Sequence, residues 1–346
     1  MEKRMWAKGT VFLTLMAVVL FSGAVSAAEK SIKVGLLLPL TGQAAPVAEY
    51  VKMGTELAMS EINAAGGIKS LGGAKLELIL ADHQMKPEVG IAQAERLIKD
   101  EKVVAILGGY MSSVIYTSSQ VAEKYMIPYV VQGGTANNIC ERGFKYVFRA
   151  IPNSSRYAID TMQAIMDISK EAGNQAKRIG LLYEMTLYGK SAAEEIKKLA
   201  PKMGFEVVAD LPYPPNTTDF SLSIGKLKAA NVDVVVAYPY VTDAIMMVKT
   251  MKEMNFDKPI HGSGGFLDPS FTDALGKMAE YAFHSAYMSR HMKLPGAVKF
   301  YDNMKKKFGK VATSDAAYSY TAMYILKEGL EKAGSTDGKK IREALA

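Results

Sequence analysis

Short apolar runs alternate with helical stretches of about 10–15 residues from residue 32 onward, and this alternation constrains the fold more than any other feature of the chain. Residues 32–38 are an apolar run closed by Pro39 and Gly42, which reads as a buried strand. A helical pattern follows over about 48–65, with Val51, Leu57, Ala58 and Ile62 on one face and Gly66 and Gly67 as its stop. Residues 75–80 read as a second strand, 88–99 as a helix, 103–107 as a third strand, 112–125 as a helix and 128–131 as a fourth strand. The pattern then restarts. Helices are expected at 154–171, 190–203, 220–229, 243–254, 298–308 and 316–332, and strands at 178–183, 205–209, 232–237, 258–262 and 281–286.

Strands that alternate with helices make βαβ units, and βαβ units make parallel sheets. Two such sets, split near residue 150, predict an α/β chain of two doubly wound parallel-sheet lobes. No internal repeat stands out, which argues against a solenoid. No low-complexity linker separates the lobes, so short crossings are expected to join them. A length of 346 residues suits two domains. With 49% hydrophobic and 22% charged residues, the chain is neither disordered nor collagen-like. Its single cysteine, Cys140, excludes an intramolecular disulfide and a multi-cysteine zinc site.

The start of the chain reads as an address. Lys3, Arg4 and Lys8 precede an apolar stretch at 11–21, and small residues lead from Ser22 to Ala28. This order predicts a secretory signal peptide over 1–28, with an apolar core short for a span of about 20 residues. No cysteine stands at the cleavage site, so a lipoprotein is not expected. A free exported protein poor in cysteine points to the periplasm. Without residues 1–28, 39 Lys and Arg face 34 Asp and Glu, a net charge of +5. The bases are scattered apart from Lys305-Lys306-Lys307 and Lys339-Lys340, and no nucleic-acid reading motif accompanies them.

Enzyme signatures fail one by one. Gly189-Lys190-Ser191 supplies the end of a phosphate loop, but Glu184 stands where its first glycine belongs. Pro39-Leu40-Thr41-Gly42 replaces the dinucleotide fingerprint after the first strand, and no serine-hydrolase elbow occurs. His83, His261, His284 and His291 lack the spacing of a zinc protease. Cys140 has no histidine close in sequence and reads as an inert thiol.

Ligands of open α/β sheets bind beyond the carboxyl ends of the strands. Gly108-Gly109-Tyr110-Met111-Ser112-Ser113, Gln132-Gly133-Gly134-Thr135-Ala136, Tyr183 to Gly189, Tyr238-Pro239-Tyr240 and Gly262 to Asp268 occupy those ends. Ser112 falls where a helix begins, and free N–H groups there favour an anion. The hydroxyls of Ser112 and Thr135 can donate, Gly133 and Gly134 admit a ligand to the backbone, and Tyr188 and Tyr240 offer ring faces. Alternatively, Ser112 serves only as a helix cap and the glycines only as a turn.

Several motifs are similar to the leucine/isoleucine/valine-binding family, the type I periplasmic solute-binding proteins of ABC importers. They are residues 33–42, 61–68, 105–109, 146–149 and 217–220, in the family's order, and the resemblance runs from residue 32 to the end. It implies two lobes joined by three crossing strands, with a ligand buried by hinge closure. It divides the chain into lobe one at 29–149 and 287–346 and lobe two at 150–286, with the chain stopping before the third crossing. Ser112 matches the serine that holds the ligand carboxylate, and Gly133 and Thr135 match the second-loop contacts. Tyr188 and Tyr240 match tyrosines of the second lobe. Amino-acid binders carry an acid that pairs the ligand ammonium, and Gly264 stands in its place. Glu184 and Asp268 are acids that could substitute for it. Val47 stands where many relatives have an aromatic residue.

The expected role is therefore an extracytoplasmic receptor for a hydrophobic, above all branched-chain, amino acid. It would deliver its ligand to membrane permease subunits, as a monomer with no cofactor, metal or nucleic acid. A hydrophobic or aromatic carboxylate, or an amide, is the alternative ligand. A sensory ligand-binding module is the alternative role, and an exported Rossmann-like enzyme would need a nucleophile–base pair that the sequence does not offer.

Overall fold

Ten strands and eleven helices alternate over residues 31–346, the residues that the computed structural model describes; the expected signal peptide at 1–28 lies outside them. In chain order the first strands are β1 (Ser31–Leu38), β2 (Lys75–Asp82), β3 (Ala105–Gly108), β4 (Tyr129–Val131) and β5 (Val147–Arg149). They form one parallel sheet in the order β2-β1-β3-β4-β5. The next are β6 (Arg178–Glu184), β7 (Glu206–Tyr213), β8 (Val234–Tyr238), β9 (Ile260–Gly262) and β10 (Ala282–His284). They form a second parallel sheet in the order β10-β9-β8-β6-β7.

The helices are α1 (Ala45–Ala64), α2 (Pro87–Lys99), α3 (Ser112–Lys124), α4 (Ser154–Glu171), α5 (Leu187–Leu199), α6 (Ser221–Ala229), α7 (Val241–Glu253), α8 (Pro269–Leu275), α9 (Ala297–Phe308), α10 (Ser314–Ala333) and α11 (Gly338–Leu345). Each sheet carries helices on both faces, which is why its central strands are apolar throughout rather than alternating with polar residues. In the first lobe, Leu36, Leu38 and Leu107 pack with Val51, Ala58 and Ile62 of α1 and Met323, Leu326 and Leu330 of α10. Their neighbours Leu37 and Ile106 point the other way, against Leu97 of α2 and Ile115 of α3. In the second lobe, Val235 and Ala237 meet α6 and α7, while Val234 and Val236 meet α4 and α5. Met323, Leu326 and Leu330 are fully buried, at about 2 kcal/mol each. They hold the end of the chain on the lobe where it began.

Two expected elements end elsewhere. The helix expected to reach residue 203 stops at Leu199 and tightens into a 3-10 turn over Ala200–Met203, where Pro201 has no N–H to continue the α ladder. The strand expected at 205–209 runs on to Tyr213, through Pro212. Proline is tolerated there because β7 is an edge strand. Two further elements, β5 and α8, are not expected from the sequence.

The chain passes between the lobes after β5 and again after β10. Asn153 caps α4 by accepting from the Arg156 N–H at 3.0 Å. Tyr157, one turn into α4, stacks edge-on against Tyr287 of the return crossing at 4.8 Å. Its hydroxyl lies 3.4 Å from that of Tyr318 on α10. Ser314 donates to the Met288 carbonyl at 2.9 Å. The start of α10 is thus tied to both crossings, and it faces the space between the lobes.

Candidate functional site

The loops that follow β3, β4, β6, β8 and β9 converge on one cleft between the two sheets. Gly133, Thr135, Tyr188, Tyr240 and Gly264 all line it. Ser112 does not. It is the first residue of α3 after an N-cap at Met111, and its side chain is fully buried behind the glycine loop. Its hydroxyl oxygen lies 3.4 Å from the Ala136 N–H. Ser112 does begin the helix, one residue after the cap that Met111 occupies, and its hydroxyl braces the loop that carries Thr135. Val47 is buried in the α1 core and does not line the cleft.

Thr135 is fixed through its backbone, its carbonyl accepting from the Ser154 N–H at 2.8 Å. Arg149 supports the same loop from behind, donating to the carbonyls of Gly134 and Ala136 at 3.0 and 2.7 Å. On the opposite wall Tyr188 opens α5 and Tyr240 caps α7. Their rings lie 5.7 Å apart, and Tyr240 is 5.5 Å from Tyr110 of the first lobe. Both hydroxyls are buried, and among the described residues neither makes a well-formed hydrogen bond, with Ser263 the polar neighbour of Tyr188 and Thr186 that of Tyr240. Burial pushes both hydroxyls, and that of Tyr110, well above the ordinary phenol range, so they act as neutral donors.

Gly264 is dictated by its surroundings. Its φ of +59° is left-handed, and a Cβ there would stand 2.7 Å from both the Tyr188 hydroxyl and the Pro239 carbonyl. Tyr188 occupies the room a side chain at 264 would need.

The acids expected to substitute sit differently. Glu184, at the end of β6, is buried and does not line the cleft. Burial and the neighbouring Asp243 push its carboxyl up to about 7. Asp243 itself accepts from Tyr213 at 3.1 Å. Asp268 caps α8, accepting from the Ser270 N–H at 2.8 Å. Sequence reasoning missed the acid that does line the cleft, Asp315 in the first turn of α10. It missed Tyr110 as well, although the quoted loop contained it. The Tyr110 backbone has a φ of +88°, which is rare for a bulky residue and costs about 1–3 kcal/mol. A Thr-Ser-Asp start of a helix reads as a cap in sequence, and nothing in it announces a cleft whose loops lie about 50 to 200 residues earlier in the chain.

His83 and His261 are buried. Burial lowers His83 to about 4 and His261 to about 3, so both are neutral. Cys140 is half-buried, and burial raises its pKa, which keeps it a thiol.

The comparisons agree with this architecture. A family model described as periplasmic binding protein matches residues 31–346. The chain belongs to the periplasmic binding protein family. It is 31% identical to Leu/Ile/Val-binding protein homolog 7 of Brucella abortus (strain 2308), over 96% of this chain and 85% of that one. A crystal structure of a leucine binding protein, LivK, from Thermotoga maritima has a TM-score of 0.82 at 24% identity, over 91% of this chain and 87% of that one. An ABC-transporter solute-binding protein from R. palustris in complex with benzoate has a TM-score of 0.78 at 23% identity, over 91% and 84%. The periplasmic binding protein's two five-stranded parallel sheets are those of the type I architecture that the sequence predicts.

Proposed function

We propose that this protein is the extracytoplasmic receptor of an ABC importer. It binds a small solute between its lobes, closes over it, and delivers it to separate permease subunits. The observation that carries the reading is the single cleft in which loops of both lobes present neutral donors and tyrosine rings, with no nucleophile–base pair among the lining residues. Gly133 and Thr135 contact the ligand from the first lobe, with Ser112 and the start of α3 behind them; Tyr188, Tyr240 and Gly264 contact it from the second. The basic and apolar start of the chain acts as a signal peptide over 1–28, and the mature receptor works in the periplasm as a monomer, without catalysis. The relatives' names favour a branched-chain or other hydrophobic amino acid. The benzoate-bound neighbour and the tyrosine-rich walls favour a second reading, an aromatic carboxylate.

Ligand-induced stabilisation tests the role. A true ligand at 100 times its Kd adds about 2.7 kcal/mol to unfolding, which shifts Tm by several degrees. Hydrophobic amino acids and aromatic acids are the panel. A flat Tm across the whole panel, or turnover of any member, would defeat the reading.

A further inference from the structure

The charge balance of the cleft is lopsided. Asp315 lines it, and among the described residues neither a salt bridge nor a hydrogen bond engages its carboxylate. No lysine, arginine or histidine lines the cleft beside it. Arg149, on the first-lobe side, is spent on the Gly134 and Ala136 carbonyls behind the loop. A second carboxylate, Asp268, is close enough to Asp315 to repel it. Asp268 is buried and already accepts from Ser270, so it offers Asp315 no compensation.

Burial makes a charge on Asp315 costly and the neighbouring Asp268 adds to that cost, so a cation beside Asp315 in the cleft relieves it. A ligand that carried only a carboxylate would bring a third negative charge into the same space. The remaining walls suit a cation too. Tyr110, Tyr188 and Tyr240 form a chain of rings across the cleft, 5.5 and 5.7 Å apart, and the electron-rich faces of such rings attract alkylammonium groups. Tyr188 is 6% exposed and lines the cleft, with its hydroxyl buried beside Ser263. Gly264 leaves no room for an acid at that position, and Asp315 is the acid that lines the cleft.

We infer that Asp315 is the counter-ion of a positively charged nitrogen on the ligand, and that this positive group, not a carboxylate, is what the cleft requires. The inference rests on the receptor reading above and narrows its ligand to ammonium-bearing solutes. It separates the two readings, because benzoate-like anions lack the group.

Calorimetric titration of matched triples tests it: leucine, 4-methylpentanoate and 3-methylbutylamine, then phenylalanine, 3-phenylpropanoate and phenethylamine. An ammonium-bearing member is expected to bind roughly 30-fold or more tighter than its des-amino partner. Asp315→Asn should remove about that factor for the ammonium-bearing member, and Asp315→Glu should restore part of it. Far-ultraviolet circular dichroism and Tm of each variant check that the fold is intact. A des-amino acid that binds as tightly as its amino acid overturns the inference and leaves the receptor reading standing. So does an ammonium affinity that Asp315→Asn leaves unchanged. If no member of either triple binds the parent protein, the receptor reading as stated fails, and this inference fails with it.

Discussion

At the scale of single residues, two buried positions carry measurable consequences. Glu184 is held with its proton by burial and by Asp243. A carboxyl with a folded pKa of about 7 and an ordinary value of 4.5 favours the fold only while protonated. Its contribution is therefore complete below about 4.5 and is lost as pH rises through 7. Glu184→Gln keeps the shape without the charge. The variant should match the parent near pH 4.5 and exceed it at pH 8 by about 1–3 kcal/mol, read from urea unfolding at both pH values. An equal difference at the two pH values would show that Glu184 does not titrate in this window. Gly264 is the second position. Gly264→Ala must hold a left-handed backbone and also push against the Tyr188 hydroxyl and the Pro239 carbonyl. Gly143 has a φ of +76° and open space around it, so Gly143→Ala isolates the backbone cost of about 1 kcal/mol. Gly264→Ala should cost about 1–2 kcal/mol more than Gly143→Ala and should weaken ligand binding, which the control leaves alone. Equal losses would remove the steric account of why an acid is missing there.

At the scale of elements, most of the architecture was legible because fully buried parallel strands cannot hide. The runs at 32–38, 178–183 and 232–237 are apolar on both faces and bounded by turn residues, and they became β1, β6 and β8 with small shifts at their ends. The elements that escaped are those with little periodicity to show. β5 has three residues, and α8 has seven, fewer than the two full turns over which an apolar stripe becomes visible. The cleft was half legible for a related reason. Strand-end loops advertise themselves through glycine, hydroxyl and tyrosine residues, which is how Gly133, Thr135, Tyr188 and Tyr240 stand out, while Gly264 stands out only through the family resemblance. Asp315 arrives from a helix that returns from the other lobe, and only tertiary packing decides what the first turn of that helix faces. That packing depends on Gly54. A Cβ on Gly54 would stand 2.1 Å from the Ala316 carbonyl and 2.4 Å from the Ser319 hydroxyl, so α1 and α10 touch backbone to backbone. The Ser319 hydroxyl donates across this contact to the Val51 carbonyl at 2.8 Å. Gly54→Ala should force the helices apart next to Asp315, costing about 2–3 kcal/mol in unfolding and lowering ligand affinity. A variant of unchanged stability would mean that α10 can shift freely, and the placing of Asp315 would lose its mechanical support.

At the scale of the whole molecule, the question is what holds the lobes at their present separation. The two crossings are anchored to α10 through Tyr157, Tyr287 and Ser314, so they can bend without losing their attachment to the first lobe. Across the cleft itself, Tyr110 of the first lobe meets Tyr240 of the second at 5.5 Å. Such an aromatic contact is worth about 0.5–1.5 kcal/mol, enough to shift an open–closed equilibrium between about two- and tenfold and too little to lock it. A ligand binding between the lobes adds its own preference for the closed form, and only that difference in affinity can drive closure. Tyr110→Ala removes the ring contact, while the alanine Cβ keeps the cost of a φ of +88°. The unliganded variant should therefore be less stable than the parent and more open, with a larger radius of gyration in solution scattering. Saturating ligand should bring both proteins to the same closed value, so the variant shows the greater compaction and the weaker apparent affinity. If the unliganded parent and variant scatter alike, the tyrosine contact does not bias the hinge, and the separation of the lobes is set by the crossings alone.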